Sequence, residues 1–145
     1  MDKTRGNYKI DIEDFIVDIK LKNSCKTEFE HENYWNAVNN AMRHLEVRIR
    51  EKSGLSHELV GVKLVTGAFA VPSGKLKVRI CKTEEEEEGF QLILMGLIKF
   101  HRNAKAHDEG NLDRNSALSI IGYVDYIVRV IDTASSLRGE ADKYF

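Results

Sequence analysis

The sequence is short of several things, and each shortage closes a route. It has one proline, Pro72. Proline is the residue most apt to break a helix, and here it sits in a single turn, Val71-Pro72-Ser73-Gly74. It has two cysteines, Cys25 and Cys81, far apart in the chain. They form no metal-spaced pair and read as free thiols of a reducing cytosol. No apolar run approaches the roughly 20 residues that a bilayer span needs. Met1 to Asn7 is polar and lacks an apolar signal core, so nothing points to export and the expected location is cytoplasmic. Neither sign of charge dominates: the net charge is −1. That balance argues against a protein that coats nucleic acid non-specifically, and it leaves room for a local basic groove.

What is present is the balance of one globular domain. Charged residues are 31% and apolar residues 42% of 145 positions, enough chain to bury a real core. Residues 1–26 are the least legible part, an N-terminal extension. Ile12, Phe15, Ile16 and Ile19 have helical spacing, which predicts one helix from Ile12 to Leu21. Tyr8, Ile10 and Ile12 alternate, so a short strand competes. Residues 27–137 read as the helical domain, and 138–145 as a polar tail.

From Glu28 to Glu51, Tyr34, Trp35, Val38, Met42, Leu45 and Ile49 mark one apolar face, with Glu32, Asn36, Asn39, Arg43, Glu46 and Arg50 opposite. Gly54 suits a left-handed cap at the end. Tyr34 and Trp35 read as core anchors rather than a platform for bases. Ser56 suits the start of a second helix running to Ala70, with Leu59, Val62, Val65 and Phe69 inward. Leu76, Val78 and Ile80 then alternate with Lys75, Lys77, Arg79 and Lys82. This is a short strand, a hairpin or an extended connection over residues 75–81. Its cations serve either as a solvated edge or as contacts to an RNA backbone.

Glu84 to Glu88 open the most apolar helix, where carboxylates offset the positive end of the dipole. Phe90, Ile93, Leu94, Leu97 and Ile98 repeat at helical steps as one buried stripe. The stretch then turns polar: Arg102, Asn103, Lys105, His107. Past a break at Asp108 to Asn111, either Asn111 or Asp113 caps a last helix. That helix runs to about Leu137, with Ala117, Ile120, Ile121, Val124, Ile127, Val128 and Ile131 inward. The sum is an all-α, antiparallel bundle of four to five helices.

The polar end of the helix that Glu84 to Glu88 open is the candidate site. Arg102 offers planar donors matched to two phosphate oxygens. His107 exchanges a proton near neutral pH. Asn103 adds an amide that holds a phosphate oxygen or a ribose hydroxyl, and Lys105 adds a further cation. These groups suit attack by an RNA 2′-hydroxyl on the adjacent phosphate. No metal or other cofactor is called for. His101, His107 and Asp108 lack a recognised ligand pattern. Five steps of straight helix leave Arg102 and His107 roughly 140° apart around the axis. A shared site therefore requires the helix to bend or stop between Asn103 and Ala106. On spacing alone, an Arg and a His that only cap a helix end remain an equal reading.

Arg102-Asn103-Ala104-Lys105-Ala106-His107 resembles the Arg-x(4–6)-His motif of HEPN domains, the higher-eukaryote and prokaryote nucleotide-binding superfamily. Tyr34-Trp35-x-Ala37-Val38-x-x-Ala41 leading to Arg50-Glu51-Lys52-Ser53-Gly54-Leu55 looks like the first long helix of an abortive-infection-like bacterial branch. Gly89-Phe90 through Met95-Gly96 to the Arg-Asn pair looks like its motif helix. That branch often has proline where this chain has Ala104. The resemblance covers roughly residues 30–135. It implies a metal-independent endoribonuclease, of a kind often found as a toxin or phage-defence effector, acting on single-stranded RNA or tRNA loops. It implies Arg102 and His107 as catalytic residues with Asn103 in support, and a homodimer that places both motifs in one groove. A separately encoded antitoxin or regulator, and no membrane, complete the expectation. A non-catalytic module of the same fold that binds nucleotide or protein is the alternative.

Overall fold

The computed structural model describes residues 9–102 and 112–136. Six helices appear there: α1 (Ile12–Phe15), α2 (Ile19–Glu30), α3 (Tyr34–Ser53), α4 (Gly61–Phe69), α5 (Glu84–Arg102) and α6 (Arg114–Asp132). The fold is all-α, as expected. No strand forms among the described residues. The alternating stretch at 75–81 makes a single antiparallel bridge between Lys77 and Ser135, with mutual backbone bonds of 2.9 and 3.0 Å. Leu76 and Val78 are buried but Ile80 is exposed, so the alternation does not persist.

The N-terminal helix is two helices. Ile16 and Asp18 have extended backbone, and the Asp18 side chain caps α2 by accepting from Leu21 N at 2.9 Å. The break has a tertiary cause. The amides of Val17 and Asp18 donate to the Asp125 carboxylate on α6, at 3.2 and 2.8 Å, and a charged acceptor there competes with the helical carbonyls. Ile19, counted inward by its spacing, is 70% exposed as a result. Ile12, Ile16, Leu21 and Cys25 share one core with α3 and α6. The boundary expected near residue 27 therefore falls inside α2, and the N-terminal arm, Ile12 to Asp18, packs into the core.

Glu28 lies in α2, and α3 begins only at Tyr34 because Glu32 takes a left-handed backbone, φ 63°, that turns the chain over. Phe29 and Tyr34 meet edge to face across that reversal, centroids 5.4 Å apart. Gly54 ends α3 at φ 69°, its amide donating to Arg50 O at 2.8 Å, as a left-handed cap should. α4 starts five residues after Ser56. Ser56 is spent on its own turn, accepting from Glu58 N at its hydroxyl and from Leu59 N at its carbonyl. Arg50 takes the carbonyl of Leu59. Val60, at the cap position, has no capping side chain, and Glu46 of α3 accepts from Gly61 N at 3.1 Å in its place. Glu46 is therefore buried rather than on the outer side of α3. On α4, Gly61, Leu64, Val65, Ala68 and Phe69 are buried and Val62 is half-buried, as is Leu59 before the helix.

α5 opens on a reciprocal cap. Glu86 N donates to Thr83 Oγ1 at 3.2 Å, and Thr83 N donates back to the Glu86 carboxylate at 3.2 Å; Lys82 N joins the same carboxylate. This is a capping box within the acidic run expected at this end. For α6 the cap is Asp113, which accepts from Ser116 N at 2.7 Å. The helix stops at Asp132, before the expected limit at Leu137, and Leu137 lies outside the described residues along with the tail.

Direction within the bundle is mixed. α2 and α3 are antiparallel: Phe29 meets Tyr34, Asn40 bonds Ser24 O, and Arg48 bonds Asp18. α3 and α6 run parallel instead. Tyr34 and Arg114 share a groove at their N-terminal ends, and Arg48 bonds Asp132 at their C-terminal ends. Short loops enforce antiparallel packing only between consecutive helices, and α4 and α5 intervene here. No helix among the described residues is long and apolar enough to cross a membrane.

Candidate functional site

α5 is what positions the motif. Phe90, Leu94, Leu97 and Ile98 are buried and press it against α4 and α3, with Phe90 edge to face against Phe69 at 5.2 Å. Ile93, counted in the same stripe, is exposed. With Leu92, Gly96 and Phe100 it forms a second, outward apolar face that three- and four-residue spacing alone did not separate from the first. Arg102 is the last residue of α5. Beside it His101 is half-buried, its ring 4.9 Å from that of Phe100. Asn103, Lys105 and His107, and the bend expected between Asn103 and Ala106, lie outside the described residues.

Lys75, Lys77 and Arg79 are all exposed, on the connection that leads into α5. Lys77 is bridged to Ser135, just past the end of α6. α5 then covers about 27 Å from Glu84 to Arg102 at 1.5 Å per residue. The basic connection and the motif arginine thus stand at opposite ends of one helix. They do not form one compact cluster within a protomer.

Thiolate chemistry is closed by burial. Cys25 and Cys81 are free and buried. Burial pushes the Cys25 thiol up to about 12. Cys81 is raised as well, by burial and by Glu86 and Glu87. Neither is a thiolate nucleophile near neutral pH. Among the described residues, no three His, Cys, Asp or Glu side chains come together to hold a metal ion.

A second polar centre escaped the sequence reading. Arg48, only 7% exposed, donates to both oxygens of Asp18 at 2.8 and 3.1 Å and to Asp132 at 2.6 Å. Its Nη2 also lies 3.0 Å from His44 Nε2. Arg48 thereby ties α2, α3 and α6 together. Burial works against the charge on Asp18, but the Arg48 guanidinium and the Leu21 amide outweigh it and hold the carboxyl below its ordinary value. Burial and Arg48 push His44 below its ordinary value. The legible signal was Asp125. It sits among Ile121, Val124 and Val128 on a buried helical face, where a carboxylate needs a partner. A groove of about 560 Å³ opens beside Arg48, between Asp18, Lys52, Arg129 and Asp132. A larger one, about 770 Å³, lies at the other end of α6 among Phe15, Tyr34, Arg114 and Leu118.

A family model described as "Protein of unknown function (Hypoth_ymh)" matches residues 16–131, from the end of α1 to the last turn of α6. Comparison with curated proteins and with solved structures gives no match.

Proposed function

The chain belongs to the Hypoth_ymh family of proteins of unknown function, which assigns no chemistry, and we propose from its residues that it is a metal-independent endoribonuclease of the HEPN type. One observation carries the reading: the segment Arg102-Asn103-Ala104-Lys105-Ala106-His107 starts at the last described residue of α5, a helix held to the core by a buried apolar stripe. A rigid helix that delivers an arginine at its end is a suitable support for a site.

In the proposed reaction, His107 takes the proton of an RNA 2′-hydroxyl. The freed oxygen attacks the adjacent phosphorus, and the 5′-oxygen leaves with a proton given by a second motif histidine acting as general acid. The products are a 2′,3′-cyclic phosphate and a 5′-hydroxyl. Arg102 opposes the charge that grows on the phosphate. Asn103 and Lys105 hold phosphate or ribose. The cations Lys75, Lys77 and Arg79 contact the backbone of longer RNA.

The reaction moves two protons and one protomer brings one motif histidine, so we propose a homodimer. The outward face of α5 supports it. Leu92, Ile93 and Phe100 are exposed there, and a Cβ added at Gly89 or Gly96 would meet nothing within 4 Å. A facing helix fits closely against such a surface. We propose that the protein acts in the cytoplasm as a toxin or defence effector, restrained by a separately encoded antitoxin or regulator.

The test is incubation with end-labelled tRNA and single-stranded RNA in excess EDTA, beside Arg102→Ala and His107→Ala proteins of verified fold. Cleavage by the parent alone, leaving cyclic-phosphate ends, is the expected result. No cleavage of any RNA by a folded parent would overturn the reading in favour of a nucleotide- or protein-binding module.

A further inference from the structure

His44 sits on α3 where α2 crosses it, and its neighbours dictate its protonation. The Ser24 hydroxyl donates to Lys20 O at 2.9 Å, so toward His44 Nδ1, 3.4 Å away, it presents its oxygen. Nδ1 is therefore the ring's donor. On the other side, Nε2 lies 3.0 Å from Nη2 of Arg48. A guanidinium only donates, so Nε2 has to be a bare acceptor. Both neighbours select one form: neutral imidazole with its proton on Nδ1.

A second proton goes directly between Nε2 and a cation. The surrounding charges do not absorb it readily. Lys20 of α2 adds to the repulsion, and Arg48 is the nearest charge. Asp18 Oδ1, 3.9 Å from Nε2, and Glu51 of α3 oppose it. Asp18 is already committed to Arg48 and to Leu21 N. From α6, Asp132 is held by Arg48, and Asp125 accepts Val17 N and Asp18 N with Arg129 beside it. Lys52 of α3 lines the same groove. Of these carboxylates, Asp18, Asp125 and Asp132 are thus engaged in the joint that fastens α2 and the arm before it to α3 and α6.

We propose that His44 is an acid-operated latch: its protonation displaces Arg48 and loosens the joint that fastens the N-terminal arm and α2 to α3 and α6. The device is independent of the motif at the end of α5 and would exist whether or not RNA is cleaved. Acid acts through the proton on Nε2, against the Arg48 side of the joint. The core face of α2, with Leu21, Cys25 and Phe29, is what the loosened joint uncovers.

Cys25 makes the opening measurable, because it is fully buried on the core face of α2. In a full-length Cys81→Ser protein, the rate of Cys25 labelling by a pyridyl disulfide is divided by the rate in urea at the same pH. This ratio is compared at about pH 7.5 and about pH 5.5, the range in which imidazoles titrate. It is expected to rise roughly tenfold on acidification, the change of one pH unit's worth of coupling, and to stay flat in His44→Gln, whose amide accepts from Arg48 at either pH. An equal rise in both proteins, or none in the parent, overturns the proposal. A second measurement needs no variant. Carbon shifts of the His44 ring at neutral pH are expected to report the Nδ1–H form, and finding Nε2–H would overturn it independently.

Discussion

At the scale of single residues, Asp125 is the most consequential side chain outside the motif. It accepts amides 108 and 107 positions away, at a break where the backbone is extended and no helical carbonyl is in place. Asp125→Ala is expected to cost about 3 kcal/mol, from two hydrogen bonds to a charged acceptor and two stranded donors. Asp125→Asn keeps one acceptor and is expected to lose about half of that. Urea denaturation reads both. The half-exposed Arg129 beside it adds little. Acid acts at the same joint. Asp18 and His44 both have folded values below their ordinary 3.8 and 6.5. A group depressed in the folded state stabilises above its ordinary value and loses that contribution as the pH falls through the folded one. The His44 share is therefore lost first, on descending from about the imidazole range, and the Asp18 share only below the ordinary carboxylate value. Melting temperatures measured down that range are expected to fall in two stages, and His44→Gln removes the upper one. Apart from Asp125 on its apolar face, none of this was legible as a site. Arg48 and Asp18 are thirty positions apart, and no local pattern says that two charges on different helices will meet.

At the scale of elements, local chemistry was legible where it was self-contained. Gly54 ends α3 because only a local left-handed turn is involved, and the acidic run begins α5 because Thr83 and Glu86 close their own box. Thr83→Ala is expected to cost about 1 kcal/mol, seen by thermal melts, with Glu86→Ala close behind. Boundaries failed where a distant group intervened. Glu46 caps α4 from another helix, and Asp125 splits the N-terminal helix; periodicity contains neither fact. The turn after α4 has a similar hidden constraint. A Cβ at Gly74 would stand 2.7 Å from Ala68 O, Ala70 N and Ala70 O, all backbone atoms that cannot step aside. Gly74→Ala is expected to cost about 3 kcal/mol, where a surface glycine such as Gly89 would tolerate the same change. The outward face of α5 carries the other element-scale expectation. Leu92→Glu with Phe100→Glu alters only exposed positions, so the melting temperature should hold while sedimentation shifts from dimer to monomer. A parent that sediments as a monomer at micromolar concentration would remove the basis for a shared groove.

For the whole molecule, the helical class was legible because buried stripes of period 3.6 dominate α3, α5 and α6, whereas the parallel run of α3 beside α6 was not. Sequence order says nothing about which non-consecutive helices touch. That topology has a consequence for RNA. It sends the basic connection to the end of the bundle where α3 and α6 finish, and α5 carries Arg102 about 27 Å from its own start. At 3.4 Å per step of a stacked strand, that distance is roughly eight nucleotides, and about half as many when a single strand is fully extended. If cleavage occurs at Arg102 and one protomer supplies the whole path, a dinucleotide cannot reach Lys77 or Arg79, and an RNA of about twenty nucleotides can. Lys77→Glu with Arg79→Glu is then expected to leave kcat/KM on the short RNA unchanged. On the long RNA it should lower kcat/KM about tenfold and make it less sensitive to salt, since each lost phosphate contact removes close to one unit of the logarithmic salt slope. Loss on the short RNA as well would mean that the connection near Arg102 comes from the second protomer. Loss on neither would confine the cations to the solvated edge that their alternation with Leu76 and Val78 also allows.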